Sequence, residues 1–206
     1  MAMETRQIQT KISFRNDEKE GDIIEGYALK FNRYSDLMGG WLQFREKLDE
    51  HVLDSADMSN VVATFNHDAS QVLGRTGVNL DLSVDNIGLK FRVKPIDTTL
   101  TRDLLANIKA GIINQCSFAF SIPDVDGAEE WAESDVDGVD YERTIYKIDH
   151  LYDVSVVTTP AYPDTEVTVG ARSKARVKAL EDAPKNAERT KLLNYLEKRE
   201  LLKSIE

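Results

Sequence analysis

One cysteine, three histidines and five prolines among 206 residues rule out several kinds of protein at once. Cys116 has no second thiol with which to close an internal disulfide, and so few thiols and imidazoles argue against a structural zinc site. No metal and no cofactor is called for by any motif. Apolar runs are short, far below the roughly 20 residues that span a bilayer. The opening stretch, Met1 to Lys11, is polar and lacks the apolar centre of a signal peptide, so the chain is expected to stay in the cytoplasm of the cell that makes it. Internal repeats are absent.

Positive charge is also scarce where it would matter for nucleic acid. The net charge is −10, and it is unevenly spread. From Ala171 onward ten Lys/Arg stand against six Asp/Glu, while the first 170 residues carry 16 basic and 30 acidic side chains. An acidic body argues against nucleic acid as the main partner, because phosphate binding needs clustered Lys and Arg. The change of composition after residue 168 divides the chain into a folded domain, 1–168, and a basic linker with a helical tail, 169–206. The tail's Leu192, Leu196, Leu201, Leu202 and Ile205 lie partly on one face of a helix predicted over Asn186–Ile205.

What is present is mostly strand pattern. Gln7–Phe14 and Ile23–Phe31 alternate apolar and polar residues about a polar Asn16–Gly21 turn, which predicts a hairpin. A strand through Trp41, Phe44 and Leu48 follows, then a short helix or loop over His51–Ser59. Further strands are predicted at Val61–Asn66, Val72–Gly74, Asn79–Val84, Gly88–Val93, Ile112–Ile122, Glu142–His150 and Leu151–Thr158. Asp97–Ala110 is the one clear internal helix, with capping residues at Asp97–Thr99, an apolar stripe of Leu100, Leu104, Leu105 and Ile108, and a stop at Gly111. Pro123–Tyr141 is acidic and reads as a mobile insertion. Seven to nine strands with one strong helix predict an α+β fold, a mostly antiparallel barrel or sandwich with a few surrounding helices.

Two short runs carry the chemistry: Asn66-His67-Asp68 and Cys116-Ser117-Phe118. A serine hydroxyl attacks poorly at neutral pH unless an imidazole takes its proton. His67 is therefore the candidate general base and Ser117 the candidate nucleophile, each assigned to a predicted strand. A third group must hold the imidazole in the right tautomer. Asp153, a carboxylate in the apolar run Leu151–Val157, is the first choice, since burying it is costly without a donor. His150 is the alternative, and Asp68 ranks third. Cys116, Phe118 and Phe120 alternate with Ser117, so they are expected on the opposite, core face. Gly74 and Gly88 are expected to permit turns or close strand approach. Arg75 is expected to pair with a carboxylate or line the cleft, and backbone N–H groups near Thr158 and Thr159 are the candidate oxyanion donors.

Five runs occur in order: Gly26-Tyr27-Ala28…Phe31; Asn66-His67-Asp68…Leu73-Gly74-Arg75; Gly88-Leu89-Lys90-Phe91; Ile108…Gly111…Ser117-Phe118-Ala119-Phe120; and Asp153-Val154-Ser155-Val156-Val157-Thr158…Pro160-Ala161-Tyr162. Together, over roughly Ile23 to Val167, they resemble the HK97-like prohead (capsid maturation) proteases of tailed phages. That family is similar in fold to herpesvirus assemblin. The resemblance implies a serine endopeptidase with His67 as base and Ser117 as nucleophile. Its implied partners are a phage major capsid protein with its scaffolding segment, and the protease itself, with self-association open. Its implied location is the host cytoplasm, packaged inside the procapsid. Family members often carry Glu where Asp153 stands, and assemblins use a second histidine there, so the third member stays open between Asp153 and His150. Two rival readings accompany this one: a catalytically idle assembly factor of the same fold, and a metal-dependent hydrolase built on His51, His67, His150 and nearby carboxylates.

Overall fold

In a computed structural model, residues 3–8, 12–17, 21–39, 43–158 and 177–179 can be described. The chain divides into two compact units, Met1–Thr168 and Val169–Glu206. Of the second, 177–179 form a helical turn with Val177 buried. The predicted tail helix, the Pro160–Pro163 segment, Thr159 and Trp41 lie outside the described residues.

The first unit is α+β and dominated by strands. Its strands are β1 (Met3–Ile8), β2 (Ser13–Asp17), β3 (Gly21–Lys30), β4 (Phe44–Leu48), β5 (Val62–Phe65) and β6 (Asp68–Arg75), then β7 (Leu80–Val84), β8 (Gly88–Val93), β9 (Gln115–Ser121), β10 (Glu129–Glu133), β11 (Tyr141–Ile145) and β12 (His150–Val157). One helix, α1 (Thr99–Lys109), precedes β9. The strands form three sheets, ordered β1-β9-β12-β5-β6, β2-β3-β8-β7 and β10-β11-β4. Most pairs are antiparallel, but β12 runs parallel to β5 and β11 parallel to β4. Among the described residues none of the sheets closes on itself, so the fold is not a closed barrel.

The five-stranded sheet shows why these residues became strands. Cys116, Phe118 and Phe120 of β9, with Val154 and Val156 of β12, alternate onto one face, are fully or almost fully buried, and join one core with Ile24, Leu29, Leu89 and Phe91 of the four-stranded sheet. The Cys116 thiol on that face donates to the Tyr27 carbonyl of β3 at 2.9 Å. Phe118 and Phe120 stack with ring centroids 5.2 Å apart. Helix α1 starts where Thr98 accepts the Thr101 N–H and buries Leu104, Leu105 and Ile108. Gly111, at φ +74°, takes the left-handed conformation that ends it.

Two elements differ from expectation. The run Gln7–Phe14 is not one strand: β1 joins the five-stranded sheet beside β9, whereas β2 pairs with β3. His51–Ser59, expected as a short helix or loop, is the latter, a series of turns. The acidic stretch 123–141 is not a loose insertion, because β10 pairs with β11 and buries Trp131 and Glu129. Local charge hid that strand, and the neutralising partner lies outside it. Arg143 of β11 is fully buried and reaches three carboxylates: Glu129 at 2.7 Å, Glu4 of β1 at 2.8 Å and Glu46 of β4 at 3.0 Å. Burial alone would lower the guanidinium pKa, but the carboxylates of Glu46, Glu4 and Glu129 more than reverse this and raise it. Arg143 thus ties the three-stranded sheet to the edge of the five-stranded one.

Candidate active site

The face of the five-stranded sheet away from the core carries a polar row. Ser117 of β9 is the cross-strand partner of Ser155 of β12, and Ser155 is the partner of Thr64 of β5. Partners share a face, so the three side chains project to the same side. Ser117 and Ser155 are fully buried there.

Strict alternation from Val154 and Val156 would put Asp153 on this face, yet Leu151 is buried with the core, out of step by one residue. A bulge reconciles them: Leu151 pairs with Phe120, Asp153 pairs with Ala119, and Tyr152 is the extra residue. An inserted residue changes the parity of a strand and re-aims its side chains. The bulge therefore lets Leu151 serve the core while Asp153 serves the polar face.

His67 comes from the hairpin joining β5 and β6. Phe65 and Asp68 pair across a two-residue turn in which Asn66 and His67 both have positive φ, 55° and 57°. Positive φ at both central positions is the requirement of a type I′ turn, usually met by Asn-Gly. A histidine in the glycine place is strained by about 1–3 kcal/mol and needs its surroundings to hold it. Residues of β12 and beyond do so. The Asn66 N–H donates to the Val156 carbonyl at 2.9 Å, the Asn66 Oδ1 accepts the Thr158 N–H at 3.0 Å, and the His67 N–H donates to Ser155 Oγ at 2.9 Å.

These constraints aim the imidazole between the other two groups. Nε2 lies 2.6 Å from Ser117 Oγ, and Nδ1 lies 2.9 Å from each oxygen of the Asp153 carboxylate. The side chains of His67 and Asp153 keep 21% and 15% of their exposure, so the bridge is largely shielded from water. A hydroxyl, an imidazole and a carboxylate joined in this order can pass a proton from oxygen to nitrogen while the carboxylate steadies the resulting cation.

The other candidate residues lie elsewhere. His150 is half-exposed, with Nδ1 2.8 Å from Asp149 and Nε2 3.3 Å from Asp57, so its ring is committed to different carboxylates. Asp68 is engaged by other groups: it accepts from Ser70 and Gln71, and the Ser70 hydroxyl above all holds its carboxyl below the usual range. Arg75 bonds Asn60 rather than a carboxylate. The Thr158 N–H is taken by Asn66, which removes it as an oxyanion donor. His51 sits with Asp54, and among the described residues no group of three or more His, Cys, Asp and Glu is placed to hold a metal ion. His67 occupies a turn, not a strand. Sequence reasoning gave no role to Ser155 or Asn66. The Asn-x pair between two apolar runs was a usable signal for Asn66, and Ser155 had none beyond its parity with Asp153.

Fold and site together describe a strand-rich α+β protein bearing the serine–histidine–carboxylate series of a serine hydrolase. The chain belongs to the caudovirus prohead serine protease family, whose model matches residues 10–180. Among solved structures, the capsid assembly protease of bacteriophage T4 is similar at a TM-score of 0.42 and 15% identity, covering 76% of this chain and 96% of that one. No curated protein matches the chain.

Proposed function

We propose that this protein is an endopeptidase that cleaves the scaffolding segment of a phage major capsid protein, and itself, inside the procapsid in the host cell. The observation that carries the chemistry is the 2.6 Å contact between His67 Nε2 and Ser117 Oγ, with Asp153 behind the ring. Membership of the prohead protease family supports the substrate class and the setting. In this reading Ser117 Oγ attacks the scissile carbonyl carbon as its proton passes to His67 Nε2. The tetrahedral intermediate collapses, that proton goes to the leaving amine, and an acyl-enzyme remains. Water then gives its proton to His67, adds to the acyl carbon and releases the new carboxylate, and the proton returns to Ser117 Oγ. Asp153 keeps Nδ1 protonated throughout and stabilises the imidazolium. The basic 169–206 segment is read as a procapsid-directing and self-trimmed tail. The assemblin-like reading of the fold belongs to the same proposal and is supported by mixed sheets wrapped on one core.

One observation favours a second reading, a catalytically idle assembly factor: Ser117 is fully buried, so a substrate needs some movement to reach it. Co-expression with the capsid protein separates the two. Wild type should yield shortened capsid subunits and Ser117→Ala full-length ones. Full-length subunits with both would overturn the protease reading.

A further inference from the structure

We propose that Ser155 is a positioning residue for His67, the acceptor that locks the base's backbone into its left-handed conformation. The catalytic consequence rests on the protease reading, but the positioning itself does not. The Ser155 side chain is fully buried at the centre of the site face, beside Ser117 on one strand and Thr64 on the other. Its oxygen accepts the His67 N–H at 2.9 Å and its proton goes to the Thr64 carbonyl at 3.2 Å. The hydroxyl thus accepts from one arm of the hairpin that carries the imidazole and donates to the other at its shorter contact, the Val156 carbonyl being farther at 3.4 Å.

Most buried serines in strands are filler, and two facts separate this one from them. The amide it accepts belongs to the residue under strain, at φ +57°. It also sits two residues from Asp153 on the same strand, so the backbone of His67 and the carboxylate that holds its ring are fastened to one rigid element. An alanine there would leave the amide without its acceptor, favour relaxation of the turn, and swing Nδ1 away from Asp153.

The test uses the full chain. A proton on an imidazole nitrogen facing a carboxylate gives a far-downfield proton resonance, and with three histidines it is assigned by its loss in His67→Gln. We expect the signal in wild type and in Thr101→Ala, which removes a buried hydroxyl in α1, and not in Ser155→Ala. In parallel, the rate of Ser117 labelling by a fluorophosphonate should fall about 10- to 100-fold in Ser155→Ala, as expected for a misplaced catalytic group. Retention of the downfield signal in Ser155→Ala would overturn the proposal, and so would its absence from wild type. If Ser155→Ala does not fold, amide exchange of His67 in wild type decides: slow exchange upholds the bond to Ser155, and exchange at the rate of an unpaired amide sinks it. Wild type that shows the signal but never reacts with the fluorophosphonate would defeat the protease reading and leave the positioning role standing.

Discussion

Asp153→Asn is the substitution that most directly probes the proposed proton relay. It changes one heavy atom and leaves the volume of the side chain intact. In the wild-type geometry both carboxylate oxygens lie 2.9 Å from His67 Nδ1, and the side chain is only 15% exposed. Two effects then act together. An imidazolium formed as Ser117 attacks loses its counter-charge; for unit charges about 4 Å apart at an effective dielectric constant near 20 that is about 4 kcal/mol. At about 1.36 kcal/mol per decade this corresponds to a rate loss of about 10³. The amide can also turn its NH₂ toward Nδ1, which forces the proton onto Nε2 and removes the base altogether, extending the loss toward about 10⁴. Substrate binding has no part in either effect, so KM should hold while kcat falls. The assay is single-turnover cleavage of the capsid protein's scaffolding segment, with fluorophosphonate labelling as a substrate-free readout. His150→Gln serves as the comparison and should leave the rate unchanged, because that ring is occupied by Asp149 and Asp57. An Asp153→Asn rate within about tenfold of wild type would refute the assignment of the carboxylate as the orienting group, since no single-decade effect fits the loss of a shielded counter-charge.

Two further perturbations test the scaffold. Arg143→Met leaves Glu4, Glu46 and Glu129 buried around an uncharged side chain, and breaking such a cluster costs about 3–5 kcal/mol, a large share of a typical domain's stability; urea unfolding should show it, and a change under about 1 kcal/mol would refute the stabilising role given to the guanidinium. Gly88→Ala places a methyl inside the contact radius of the Leu29 carbonyl oxygen and 2.8 Å from Lys30 Cα, backbone atoms that cannot rotate away, so a destabilisation at or above the usual 1–3 kcal/mol of overpacking is expected, and an unchanged thermal melt would refute the close β3–β8 approach.

The strands that were legible in the sequence are those whose partners share their character. Gly88–Val93 alternates cleanly and packs as β8 against β3, and the stripe of α1 faces the core that its spacing implied. The strand that escaped was β10, because what stabilises Glu129 is an arginine 14 residues further on, and no local pattern contains that pairing. The division of Gln7–Phe14 into β1 and β2 is hidden for a related reason: both halves alternate, and only the competition between β9 and β3 for neighbours separates them.

The site follows a different logic, since its two decisive features are departures from regularity. His67 and Ser117 could be named as candidates because imidazole is the commonest general base and a hydroxyl beside one is a usual nucleophile. Where the imidazole stands depends on a turn that puts histidine where glycine is preferred, while the extra residue Tyr152 lets Leu151 reach the core on a strand whose Asp153 is in step with Ser155. Either feature alone would be a local cost. Together they let one strand serve the core at Leu151 and the site at Asp153 while its residues Ser155 and Val156 hold the strained turn that carries His67. Period-two reasoning predicts regular ladders, so it must fail at such a point, and a break in parity beside a carboxylate within an apolar run is itself a signal of a site. The break at Leu151-Tyr152-Asp153 was visible as buried-type residues at both 151 and 154. Those two positions cannot share one face of a regular strand, and the irregularity is what turns Leu151 to the core while Asp153 keeps step with Ser155 on the site face.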